Sequence, residues 1–136
     1  MSETVHACCV AIDGRGVLIF GASGSGKSDL TLRLIDRGAR LVSDDYTQLT
    51  RAGKRVIASA PAAIAGQIEV RGIGIVTLPP TGTVPIALVV SAGVPQRLPD
   101  PAKSDMAGVD VPMITLSLLE ASAPLKVEIA LRALPE

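Results

Sequence analysis

Aromatic side chains are almost missing from this chain: among 136 residues there is one Phe, one Tyr and no Trp. The core must therefore be built from Ala, Val, Ile and Leu, which favours compact α/β packing. Charge of one sign is missing too. Thirteen basic residues balance thirteen acidic ones, so there is no electrostatic footprint for nucleic acid or an anionic membrane, and any phosphate chemistry must be local. The two cysteines, Cys8 and Cys9, are adjacent and cannot staple distant segments, so a reducing compartment, the cytoplasm, is expected. Both read as small core residues. No run approaches the roughly 18 uninterrupted apolar residues of a membrane helix, and the N-terminus lacks the basic and apolar regions of a signal peptide. No membrane partner is expected. The length suits one domain over 1–136, with a core that needs no disulfides.

What is present is a strand–loop–helix pattern. Val5 to Ile12 reads as a strand, Asp13-Gly14 as a tight turn, and Val17 to Phe20 as a second strand. Next come Gly21-Ala22-Ser23-Gly24-Ser25-Gly26-Lys27-Ser28 and a helical face of Leu30, Leu34 and Ile35 ended by Gly38. Leu41-Val42 starts another strand that stops at Ser43-Asp44-Asp45, which predicts a β-α-β unit with loop and acids at the same end. Arg51 to Gly66 suggests a hairpin and a short helix, and Ile68 to Leu78 a β-rich stretch interrupted by Gly72 and Gly74. Ile86 to Val90 is an expected buried strand and Val94 to Val109 an expected long mobile loop. Pro112 to Leu116 and Leu125 to Leu131 are the last expected strands.

Gly21 to Ser28 fits G-x-x-x-x-G-K-[ST] at every fixed position and in the required context, after a strand and before a helix. Glycines let successive N–H groups point at phosphate oxygens, and the helix adds its positive N-terminal end. Lys27 supplies a point charge for the β- and γ-phosphates, and the Ser28 hydroxyl suits the magnesium ion (Mg2+) that bridges them. The cradle serves switches, ATPases and kinases alike, so other residues decide the reaction. A transfer to a hydroxyl needs a carboxylate near magnesium and a base near the acceptor, and Asp44-Asp45 are placed for both jobs. Successive strand residues point to opposite faces, so only one of them is expected to face the acceptor.

Three separated stretches resemble the catalytic domain of the HPr kinase/phosphorylase family: the phosphate loop with His6 upstream, Leu41-Val42-Ser43-Asp44-Asp45, and Ile68-Glu69-Val70-Arg71-Gly72-Ile73-Gly74-Ile75-Val76. The resemblance implies a P-loop kinase domain, α/β with a mostly β core around the strand–loop–helix unit, in a short form without the family's N-terminal domain. It implies an ATP- and magnesium-dependent serine kinase acting on the phosphocarrier HPr or a nitrogen-type relative. By the same resemblance Lys27 contacts the phosphates, Asp45 accepts the serine proton with Asp44 supporting it, and His6 and Arg97, in Gln96-Arg97-Leu98, assist. Ser28 and Glu69 would hold magnesium, and a hexameric homo-oligomer is implied. Ser117 to Ser122 contains no basic residue where the family has them for phosphorolysis, so kinase activity is favoured over the reverse reaction.

Blander readings stand beside these. A lone His near a strand start is often structural, Glu69 and Arg71 could form a surface pair on one strand face, and Gly72 and Gly74 could mark a bulge. Two other functions fit the same loop: a kinase of a small-molecule hydroxyl, and a nucleotide-sensing binding module without turnover.

Overall fold

In a computed structural model, which describes residues 2–135, the chain order is β1 (Ser2–Val5), β2 (Cys8–Ile12), β3 (Arg15–Phe20), α1 (Lys27–Asp36), β4 (Arg40–Ser43), β5 (Thr47–Ala52), β6 (Arg55–Ser59), β7 (Gln67–Val70), β8 (Gly74–Thr77), β9 (Val84–Ala92), β10 (Ala102–Met106), β11 (Val109–Leu116) and α2 (Ala123–Arg132). A single 3-10 turn, Ala62–Ile64, comes after β6. Among these residues nine strands share one sheet, with a main path β1-β5-β6-β9-β3-β2-β4, while β7 and β8 form a separate hairpin.

Asp13 and Gly14 both adopt positive φ, 51° and 76°, the conformation a two-residue hairpin turn requires, so β2 folds back on β3 with Ile12 opposite Arg15. β2 is antiparallel to both β3 and β4, so it stands between the two strands of the expected β-α-β unit. On its other side β3 runs parallel to β9. The start of β9 pairs with β6, and its end pairs with β11 in parallel, from Met113 opposite Val89 to Leu116 opposite Ala92. Three parallel strands, β3, β9 and β11, thus finish side by side at the end of the sheet where the phosphate loop begins.

The central strands are buried on both faces, which explains their unbroken apolar runs. Cys8 and Val10, Val17 and Ile19, and Leu88 and Val90 pack under Leu30 and Leu34 of α1 and Val127 and Leu131 of α2. The alternate residues Cys9, Leu18 and Val89 face a second cluster with Leu49, Val56, Met106 and Val111. Helix α1 is tied to α2 by Arg37, which donates to both carboxylate oxygens of Glu128. Arg15 closes the other end of α2 by donating to the carbonyls of Leu131, Leu134 and Pro135.

The structure corrects the sequence reading in three places. Leu125 to Leu131 is helical, within α2, and not a strand. Its Leu-Lys-Val-Glu-Ile alternation imitates a strand, but the helix buries Ala123, Val127 and Leu131, spaced by four, with Pro124 beside the first, while Leu125 and Ile129 are exposed. Within the stretch expected to be a mobile loop, Ala102 to Met106 is an edge strand paired with β11 through a turn at Ala107-Gly108. Its Ala-Lys-Ser-Asp-Met sequence has no β-branched residue, and its turn puts Ala107 at φ 52°, where Asn or Gly is the usual signal. The long β strand expected from Val5 to Ile12 is interrupted at His6-Ala7, and that interruption becomes part of the site.

Candidate active site

The phosphate loop joins the end of β3 to the start of α1, with Gly24 at φ 82° and Gly26 at φ 104°, a conformation that side chains resist. Gly26 is doubly constrained, because a Cβ there would stand 2.7 Å from Leu119 Cδ2. The loop borders a cleft of about 440 Å³ lined by Lys27, Ser28, Asp44, Asp45, Glu69 and Arg71 among others. Lys27 is buried and its Nζ donates to the Gly21 carbonyl at 2.7 Å, leaving further N–H donors at the head of the loop.

The two neighbouring acids have different partners. Asp44, 8% exposed, takes the Ser28 hydroxyl on Oδ1 at 2.9 Å and the Glu69 backbone N–H on Oδ2 at 3.0 Å. That one carboxylate therefore ties α1 to β4 and pins β7, with the Glu69 side chain exposed on the cleft wall. Asp45 has φ 69°, left-handed backbone that Asp tolerates better than most residues. Its carboxylate meets His6 Nε2 at 2.7 Å, with both side chains about half exposed, 49% and 54%. The Tyr46 ring stacks on the imidazole with centroids 4.9 Å apart and an 18° tilt.

Beneath the acids lies Cys8. Its thiol donates to Asp44 Oδ1 at 3.4 Å and accepts the Asp45 N–H at 3.4 Å. Burial pushes the thiol pKa up to about 11, with the Asp44 charge adding to the rise and the Asp45 N–H opposing it. Cys8 is thus a neutral thiol that supports the acid turn from below. Cys9 is fully buried and its pKa is likewise driven up by burial.

Of the residues singled out in the sequence, the structure brings Lys27, Ser28, Asp44, Asp45, Glu69 and the loop residues Ser23, Gly24 and Gly26 onto one cleft, with His6 hydrogen-bonded to it through Asp45. Gly21 closes the loop through its carbonyl, whereas Ala22 and Ser25 face a neighbouring cavity. Arg97 is exposed on the segment after β9 and does not line the cleft. Sequence reasoning left three features of the site unassigned: Arg71 as a cation on the cleft wall, Leu119 as its apolar rim, and, beside the cleft, Tyr46 as the support of His6. Arg71 was visible as the charge beside Glu69, but no spacing rule announces a ring stacked on a distant histidine. Ser28 and Asp44 together form a set of hard oxygen donors, which suits magnesium, with Glu69 on the same wall.

Residues 1–81 match the family model described as HPr Serine kinase C-terminal domain. The chain is 44% identical over 75 residues to an HPr kinase/phosphorylase of Clostridium tetani, covering 55% of this chain and 25% of that protein. It is 47% identical over 73 residues to one of Caldanaerobacter subterraneus subsp. tengcongensis, covering 53% and 24%. The chain therefore spans about a quarter of the length of the curated relatives it matches. A solved structure of the Hpr(Ser) kinase/phosphatase from Coxiella burnetii superposes with a TM-score of 0.83 at 33% identity, covering 96% of this chain and 94% of that one.

Proposed function

The chain belongs to the HPr Serine kinase C-terminal domain family, and on that premise we propose that it is an ATP- and magnesium-dependent protein serine kinase acting on HPr or a related nitrogen-type phosphocarrier. The observation that carries the reading is the divergence of two adjacent acids, Asp44 toward Ser28 and Asp45 toward His6, on the wall of the phosphate-loop cleft.

In this mechanism the phosphate-loop amides and Lys27 hold the triphosphate and take up charge that grows on the transferred group. Asp45 accepts the proton of the carrier serine hydroxyl as its oxygen bonds to the γ-phosphorus and the bond to the ADP oxygen breaks. His6, held by Tyr46, binds one Asp45 oxygen and leaves the other for the serine. Ser28, Asp44 and Glu69 are the residues that would hold magnesium, which would supply neutralisation of phosphate charge there. Arg97, on its exposed segment, is assigned an assisting role by resemblance alone. The proposal includes action in the cytoplasm and assembly into a homo-oligomer, a hexamer by resemblance. Among the described residues no helix is long and apolar enough to cross a membrane.

The test is to incubate the purified chain with magnesium, labelled ATP and the phosphocarrier encoded in the same genome, beside a panel of hydroxyl metabolites. Label on one carrier serine, located by mass spectrometry, is the expected result. Label on a metabolite alone would move the assignment to a small-molecule kinase, and ATP binding with no transfer to any acceptor would move it to a nucleotide sensor.

A further inference from the structure

A second cavity, of about 380 Å³, lies against the phosphate loop and is lined by neither of the acids. Ala22 and Ser25 form its phosphate-loop wall, and the segments 92–94 and 117–119 complete it. Those segments lead out of β9 and β11, so the cavity sits at the carboxyl ends of the three parallel strands β3, β9 and β11. Open α/β sheets bind ligands in the crevice at that end of their strands.

Three observations fit one occupant. First, the two cavities are neighbours that share Leu119 as a lining residue, and Leu119 stands against Gly26, so a molecule anchored in the cleft has the second cavity beside it. Second, Val94 and Leu119 are 93% and 63% exposed, which leaves apolar surface in water beside a site built for phosphate. Third, the cavity carries no charged or amide side chain, only Ala, Gly, Val, Leu and Ser. A flat, weakly polar group attached to a polyphosphate meets all three conditions.

We propose that this cavity is the base site of the nucleotide: the purine ring lodges between the 92–94 and 117–119 segments, against Val94 and Leu119, while the phosphates occupy the loop. The inference rests on the proposed function, in which the phosphate loop holds the triphosphate. The wall is rigid on one side, because Arg33 of α1 donates to the carbonyls of Leu118 and Glu120 and the Gly93 N–H donates to the Leu116 carbonyl at 2.9 Å. Only the Ser25 and Ser117 hydroxyls and backbone groups could read a base edge, and the Ser25 hydroxyl is buried without a partner among the described residues. A pocket that holds a ring by apolar contact discriminates weakly, in contrast to one that pairs its edge. ATP and GTP should therefore bind within a few-fold of each other.

The experiment is photolabelling of the full chain with 8-azido-ATP and peptide mapping, run beside calorimetry with ATP and with inorganic tripolyphosphate. Expected are adducts within 92–94 or 117–119, ATP binding tighter than tripolyphosphate, and a Val94→Asp variant that weakens ATP by about five- to tenfold without changing tripolyphosphate binding. Adducts elsewhere, such as at Leu32 or Val70 in the main cleft, would overturn the base site and leave the phosphate loop intact. ATP bound no more tightly than tripolyphosphate would do the same. Failure of both ligands to bind would overturn the nucleotide reading, and the base site with it.

Discussion

At the scale of single residues, the decisive feature is a reversal of direction between Asp44 and Asp45. The pair of acids at the end of a strand was legible in the sequence, and so was the tendency of neighbouring strand residues to point different ways. Which partners each would find was not legible, because that depends on the left-handed backbone of Asp45 and on the kink at His6. Cys8 was readable as a small core residue, but its place between the two acids was not. Its chemistry yields a prediction. An unfolded thiol ionises near pH 9 and the buried Cys8 near 11, so the native fold carries a preference for the neutral thiol that is intact below pH 9 and lost as pH rises to 11. Wild type should therefore lose stability between pH 9 and 11 more steeply than a Cys8→Ala variant in urea titrations. Equal slopes would contradict the burial argument. In the folded protein at pH 7, alkylating reagents should leave Cys8 unmodified.

At the scale of elements, the parts near the phosphate loop were legible because several signals agreed: a two-residue Asp-Gly turn, an apolar run, a glycine loop and a helix closed by Gly38. Away from the loop the signals conflicted. Leu125, Val127, Ile129 and Leu131 would all share one face of a strand, but the helix buries Val127 and Leu131 and turns the other two outward. The packing of Val127 and Leu131 against Leu30 and Leu34 of α1, together with Pro124 in the first turn, settles the choice in favour of helix. Local alternation is a weaker term than this tertiary burial. Leu131→Ala should cost about 2–5 kcal/mol in chemical denaturation. Ile129→Ala, which removes an exposed side chain, should stay within about 0.5 kcal/mol. Similar losses at both positions would contradict the helical assignment. The β10 strand was illegible for a different reason: a polar edge strand carries no apolar pattern, and its Ala107-Gly108 turn is held by a contact from elsewhere. The contact from elsewhere is Glu3, which accepts the Ala107 N–H at 3.0 Å, while within the hairpin the Gly108 N–H donates to Asp105 at 2.8 Å.

At the scale of the whole molecule, the site is an intersection of segments far apart in the chain. The phosphate loop comes from residues 21–28, the acids from the turn after β4, Glu69 and Arg71 from the separate β7–β8 hairpin, and the apolar rim from the turn after β11. A sheet buried on both faces fixes these ends relative to one another, and single side chains complete the ties: Asp44 from β4 to β7, Arg33 from α1 to the turn after β11. The proposed function separates holding the nucleotide, assigned to Lys27 and the loop amides, from activating the acceptor, assigned to Asp45. The most direct test of that separation compares ATP binding and transfer to the carrier serine in wild type, Lys27→Ala and Asp45→Asn. Asp45→Asn should bind ATP with wild-type affinity and lose transfer by a factor of about 100 or more, the range of a lost general base. Lys27→Ala should weaken ATP binding and lose transfer as well. Transfer that survives Asp45→Asn at near wild-type rate would contradict the account.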